Sequence, residues 1–246
     1  GASVNELLDY LKAPESWTRT QAKWELKHRG ASEVIPALRS WVAGLDPEDE
    51  KGDHHRLEAL WVTQALREVH LGLVEASIES EDFNARAGAV RVLEENPRQN
   101  DRAFEFLERA IRDPHPRVRL EALHGLRALG GTRSAKLAME SYSESMDDTF
   151  EFGLWRTMEA LEEDWFSEAK KDPLLFGQDT RKLVYAIKCL NHTEALSPLI
   201  ALWKEGGVSQ NAVLPALQLM GELGDDSVLA LVFEATVQID SEGDSG

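Results

Sequence analysis

The chain has 246 residues, 42% apolar and 29% charged, a balance that fits a folded, soluble protein and not a disordered one. Its 27 basic and 44 acidic side chains leave a net charge of −17, which opposes nucleic-acid and anionic-membrane binding over most of the surface. One cysteine, Cys189, excludes an intrachain disulfide and a cysteine metal cluster, and no apolar run approaches the roughly 18 residues that a membrane-spanning helix needs.

Taken in order, the pattern predicts helices throughout. Val4 to Lys12 is a short first helix, broken by Pro14-Glu15-Ser16, with Ser16 read as the N-cap of Trp17 to Arg29. Ser32 to Ala43 pairs with it, and Pro36 implies a kink or a late start. Gly44 to Asp53 is an acidic loop whose spacing fails the EF-hand pattern, because Lys51 stands where that loop turns on glycine. His54 to Val69 and Leu71 to Ile78 form the next pair, then Phe83 to Leu93 and Arg102 to Ile111 across Asn96-Pro97. Pro116 to Leu129 follows the turn Asp113-Pro114-His115, with proline in the first turn where its missing N–H costs nothing. Thr132 to Ser143 comes next. Asp148-Thr149-Phe150-Glu151 reads as a capping box for a helix to Glu163. Asp164 to Asp179 reads as irregular, apolar and packed against a neighbour. Arg181 to Leu190 with Ala195 to Trp203, and Asn211 to Leu223 with Ser227 to Val237, complete the series. Residues 240–246 read as a disordered acidic tail, leaving 1–239 as one repeat domain.

These helices are copies of one another. Arg56 to Leu66 and Arg119 to Leu129 agree at seven of eleven positions without a gap. With Ala122 as anchor, Ala22, Ala59 and Ala89 fill the same slot, each with an arginine three residues earlier: Arg19, Arg56, Arg86 and Arg119. Thr157, Ala186 and Ala216 continue the series at steps of about 29 to 37 residues, the length of a helical hairpin and its return. A small residue at the anchor lets helices approach closely. Leu26, Leu93, Leu126 and Leu161, four residues on, lie on the same face and fill the gap between repeats. Gly30, Gly130 and Gly224, eight residues on, suit left-handed helix ends. The arginines are long enough to reach a carboxylate or carbonyl of the next repeat.

The chemistry-bearing residues are few. His54-His55 is the most ligand-like pair, but adjacent helical residues point apart, so no metal is assigned, with His28 a third ligand only if the fold brings it close. The seven tryptophans read mainly as packing between repeats. Trp17, Lys23, Trp24 and Arg19 make the most basic and aromatic helix. Together with His54, His55, Arg56, Arg86 and Arg119 they form the candidate binding surface. The acidic pairs sit at helix ends as caps, and Cys189 has no histidine at helical spacing, so no catalytic residue and no cofactor is predicted.

Asp113-Pro114 with Val118-Arg119, followed by Ala122, Leu123 and Gly130-Gly131, resembles a HEAT repeat. That resemblance implies an all-α fold, a right-handed α-α superhelix of about seven helix pairs with the arginine-bearing helices on its inner face. A narrower resemblance rests on Trp17 to Lys23, Ile35 to Leu38, His54 to Trp61, His115 to Ala122 and Leu229 to Phe233. These are similar to the repeat region of large exported proteins of planctomycete-type bacteria, where a dehydrogenase-like propeller precedes and a c-type cytochrome domain follows. The chain has no Cys-x-x-Cys-His and no propeller strands, so no redox residue carries over. The implied function is a non-catalytic scaffold or protein-interaction segment of such a protein, periplasmic or otherwise exported, with protein partners and no nucleic acid. No signal peptide is read in the chain itself. Two alternatives stand beside it. One is a DNA-acting enzyme resembling the alkylpurine glycosylases, using the Trp17–Arg29 helix. The other is a protein resembling bilin lyases, which requires a pocket.

Overall fold

The computed structural model describes residues 1–46, 48–68, 70–95 and 101–243. Among them every regular element is helical. The chain divides into two compact units, Gly1–Leu129 and Gly130–Gly246.

The first unit holds α1 (Val4–Asp9), α2 (Ser16–Arg29), α3 (Ala31–Ala43), α4 (Gly52–Ala65), α5 (Leu71–Ile78), α6 (Phe83–Glu95), α7 (Ala103–Ala110) and α8 (Pro116–Leu129). Helices α2, α4, α6 and α8 pack in succession against one another, and α4, α6 and α8 also pack on α5 and α7. The second unit holds α9 (Thr132–Glu140), α10 (Asp148–Ala160), α11 (Glu162–Lys171), α12 (Arg181–Leu190), α13 (Ser197–Lys204), α14 (Val213–Leu223) and α15 (Asp226–Gly243). Here α10, α12 and α14 form one row, and α9, α11 and α13 the other.

The repeat slot is real in space. Ala22, Ala59, Ala89, Ala122, Thr157, Ala186 and Ala216 are all buried, at 0 to 2% exposure. The four-residue step lands where the period requires, since Leu26, Leu93, Leu126 and Leu161 are buried too. Threonine substitutes for alanine at 157 because its hydroxyl donates to the Gly153 carbonyl at 2.8 Å, leaving no unpaired polar atom.

Several local expectations are corrected. Ser16 is the first residue of α2 and makes no cap; Glu15 precedes it without a side-chain cap. Pro36 sits inside α3, which starts at Ala31 and not late. The missing bond falls on the carbonyl of exposed Ser32, where water can substitute. Helix α4 stops at Ala65 instead of running to 69. Arg67 adopts φ 58°, and the Glu68 amide donates to the Thr63 carbonyl, a Schellman ending without the usual glycine. Residue 69 itself and the Asn96-Pro97 break lie outside the described residues. Asp147, not Asp148, caps α10 by accepting from the Phe150 amide at 2.9 Å. The first half of the Asp164–Asp179 stretch, to Lys171, is the regular helix α11, and the rest is turns. Its opening Glu162, Glu163 and Asp164 and closing Lys170 and Lys171 suit the helix dipole. The packing expectation for that stretch holds, since Trp165 is fully buried and its indole N–H donates to the Met158 carbonyl of α10 at 3.0 Å. Gly30 and Gly130 have positive φ, but Gly224 has φ −74°. Its glycine answers a different need: a Cβ there would stand 2.3 Å from the Met220 carbonyl oxygen and 2.7 Å from Val228. Helix α15 continues to Gly243, into the segment expected to be tail, and 244–246 lie outside the described residues.

Candidate functional site

Of the residues singled out on the first unit, Arg19, Lys23 and His54 come together on Glu58, while Trp17 and Trp24 stand exposed on α2. Seven residues apart on α2, Trp17 and Trp24 share a face and are 72% and 55% exposed, so packing between repeats does not describe them. Trp24 packs against His28, ring centroids 3.9 Å apart. Two cations of the same helix, Arg19 and Lys23, reach toward α4. The Arg19 Nε donates to Glu58 Oε1 at 2.8 Å and Lys23 Nζ to Glu58 Oε2 at 2.6 Å. Glu58 is buried, and His54 Nε2 stands 3.6 Å from it. Lys23 also lies over the Trp61 ring, 4.7 Å from its centroid.

Adjacent His55 goes elsewhere. It is buried, with Nδ1 3.0 Å from Asp49 Oδ2 but not aligned for a hydrogen bond. Burial pushes its pKa below the ordinary histidine value, against the pull of Asp49. His54 and His55 therefore face different carboxylates and do not converge on one ion.

The arginines repeat one device. Nη1 of Arg19 donates to the Ala13 and Pro14 carbonyls, that of Arg86 to Ser80 and Glu81, and that of Arg119 to Asp113 and Pro114. In each case the acceptors lie six and five residues earlier, so the guanidinium ties down the turn that enters its own helix. The remaining nitrogens of Arg19 and Arg86 reach the next repeat: Arg19 at Glu58, and Arg86 bidentate at Asp113 at 2.7 and 3.0 Å. Burial works to raise the Asp113 carboxyl, but Arg86 and the His115 amide outweigh it and hold it below its usual value. Arg56 differs. It pairs with Asp53 at 2.6 Å, and Asp53 in turn accepts from Ser80 of the following repeat.

A groove on the second unit was not marked by sequence reasoning. Two adjoining cavities of about 470 and 290 Å³ share Glu151, Tyr185, Lys188, Leu219 and Glu222, contributed by α10, α12 and α14. Phe152 and Trp155 stand on one wall, 58% and 42% exposed and edge to face. Trp155 is held in place, its indole N–H donating to the Cys189 carbonyl at 2.9 Å, and the Tyr185 hydroxyl donates to the Glu151 carbonyl at 3.1 Å. Asp148, Glu151, Glu222 and Lys188 all line the larger cavity. The Cys189 thiol is pushed up to about 12 by burial, so it stays protonated and is a poor nucleophile at neutral pH. A shape of this size, with two rigid aromatic faces and a few charges, can hold an extended apolar-and-charged ligand. The available signal was Phe152 and Trp155, one turn apart beside two acids. Sequence alone could not distinguish it from the buried pattern of Trp165.

The family model for HEAT repeats matches residues 71–150, about a third of the chain. That match and the strandless helix pairs agree: the fold is all-α, of the α-α solenoid type. Phycocyanobilin lyase subunit alpha of a Picosynechococcus species is 26% identical over 176 residues, covering 66% of this chain and 65% of that protein. The chain thus aligns with just under two thirds of that relative's length. Among the described residues no helix is long and apolar enough to cross a membrane.

Proposed function

We propose that this chain is a non-catalytic helical-repeat scaffold whose working surface is the groove of α10, α12 and α14, and that its occupant is a segment of a protein partner. The exposed pair Phe152 and Trp155 carries this reading, because rigid aromatics left uncovered in a concave, polar-rimmed groove are the usual anchors of an interface. A photo-crosslinking residue placed at 152 tests it, with one at exposed Leu229 as control. A discrete protein adduct from position 152 alone, lost on Trp155→Ala, is expected. Adducts that ignore Trp155 would sink the reading.

A second reading has its own support. The relative is named a phycocyanobilin lyase, and the larger cavity is of a size that holds a bilin-scale ligand. Titration with phycocyanobilin, followed by quenching of indole fluorescence, separates the two. Saturable quenching lost in Trp155→Ala favours pigment holding.

The exported, multidomain context and a periplasmic location rest on the planctomycete-type resemblance of the residues. A reading frame with a flanking propeller and a haem-attachment motif is the expected confirmation. For the DNA-acting alternative, two of the four Lys and Arg side chains of α2, Arg19 and Lys23, are engaged on Glu58, and Arg29 faces Glu33. A salt titration with duplex DNA is expected to show no binding even at low ionic strength.

A further inference from the structure

We infer that Glu94, Glu121 and His124 form a site for a divalent transition-metal ion, zinc foremost, between α6 and α8 of the first unit. Glu121 and His124 stand one turn apart on α8, and Glu94 faces them from α6. One ligand atom from each lies within 4.8 Å of the other two, and His124 Nδ1 is 3.8 Å from Glu121 Oε2. Nitrogen and oxygen ligands bound tetrahedrally to zinc at about 2.0 to 2.2 Å stand roughly 3.4 Å apart. Small adjustments of side-chain ends therefore close the set, leaving a fourth position for water.

A separate observation points the same way. Glu121 is only 6% exposed, and its Oε2 is shut off from solvent yet accepts no hydrogen bond. Buried carboxylate oxygens normally have a partner. The nearest cation is Arg91, with Nε 3.4 Å away on a side chain that is 59% exposed. That contact is too poorly aligned to be a hydrogen bond, so the oxygen still lacks a donor. His124 is partly open, which leaves a path in.

Arg91 and an ion would compete for Oε2, and this yields the decisive test. Zinc is titrated calorimetrically into the full chain, with excess magnesium present to occupy loose acidic surface. One equivalent is expected to bind, and His124→Ala to weaken it at least about tenfold. Arg91→Ala is expected to tighten it, because the competitor is gone; a merely structural Glu121–Arg91 pair would predict no gain. Glu121→Gln should abolish binding, and if that variant unfolds, the two surface variants still decide. No stoichiometric uptake by the wild type, or unchanged uptake by His124→Ala, overturns the site.

Discussion

At the scale of single residues, the guanidinium of Arg86 makes four hydrogen bonds, two to carbonyls and two to Asp113, in a partly buried setting. Removing one partner strands the other. Asp113→Asn is expected to cost about 3 kcal/mol at pH 7, measured by urea unfolding. The folded carboxyl is held below its ordinary value, so its contribution is present above the unfolded pKa and is lost as pH falls through the folded one. The gap between wild type and Asp113→Asn should therefore close in strong acid. His55 works in the opposite range. Its pKa is depressed, so the folded state prefers the neutral ring, and stability falls as pH drops below the ordinary histidine value of about 6.5. His55→Gln should flatten the melting-temperature profile between pH 7.5 and 5.5. A profile as steep as that of the wild type would show that another group is responsible.

At the scale of elements, close approach between helices is what the small residues provide. A Cβ at Gly125 of α8 would stand 2.4 Å from the Leu107 side chain of α7. Gly125→Ala gains helix propensity of about 1 kcal/mol but overpacks by about 1 to 3 kcal/mol, so a net loss is expected. Adding Leu107→Ala should recover part of that loss, a coupling that a double-mutant cycle reads directly. Element boundaries show where sequence was legible. The bounds of Pro116 to Leu129, Leu71 to Ile78 and Arg181 to Leu190 agree with the sequence reading to the residue; Pro116 and Gly130 punctuate the first, and a left-handed Asn191 ends the last. The end of α4 was missed, since Arg67 occupies a left-handed position that sequence rules reserve for glycine or asparagine. Helix α11 was missed because its aromatic residues masked a polar, well-charged helix.

At the scale of the whole molecule, charge dominates. The self-repulsion of a net charge of −17 is expected to outweigh the surface ion pairs, which are individually weak. Raising the salt concentration from about 0.05 to 0.5 M should therefore raise the melting temperature by a few degrees, read by calorimetry. A fall would mean that the ion-pair lattice centred on Arg19, Arg86 and Arg102 outweighs the repulsion.

What sequence alone determined was the repeat: a small residue on a recurring period, leucine one turn later and arginine three residues before. Burial and helical periodicity are local constraints, and each copy carries its own record of them. Only the tertiary structure decided what the polar groups do. Arg19, Lys23 and His54 gather on Glu58, Glu94 meets Glu121 and His124, and Phe152 with Trp155 stands open while Trp165 is sealed. The reason is physical: the repeats share one apolar rule, but a charge or an aromatic ring takes its role from the neighbour it faces, and that neighbour lies some thirty residues away.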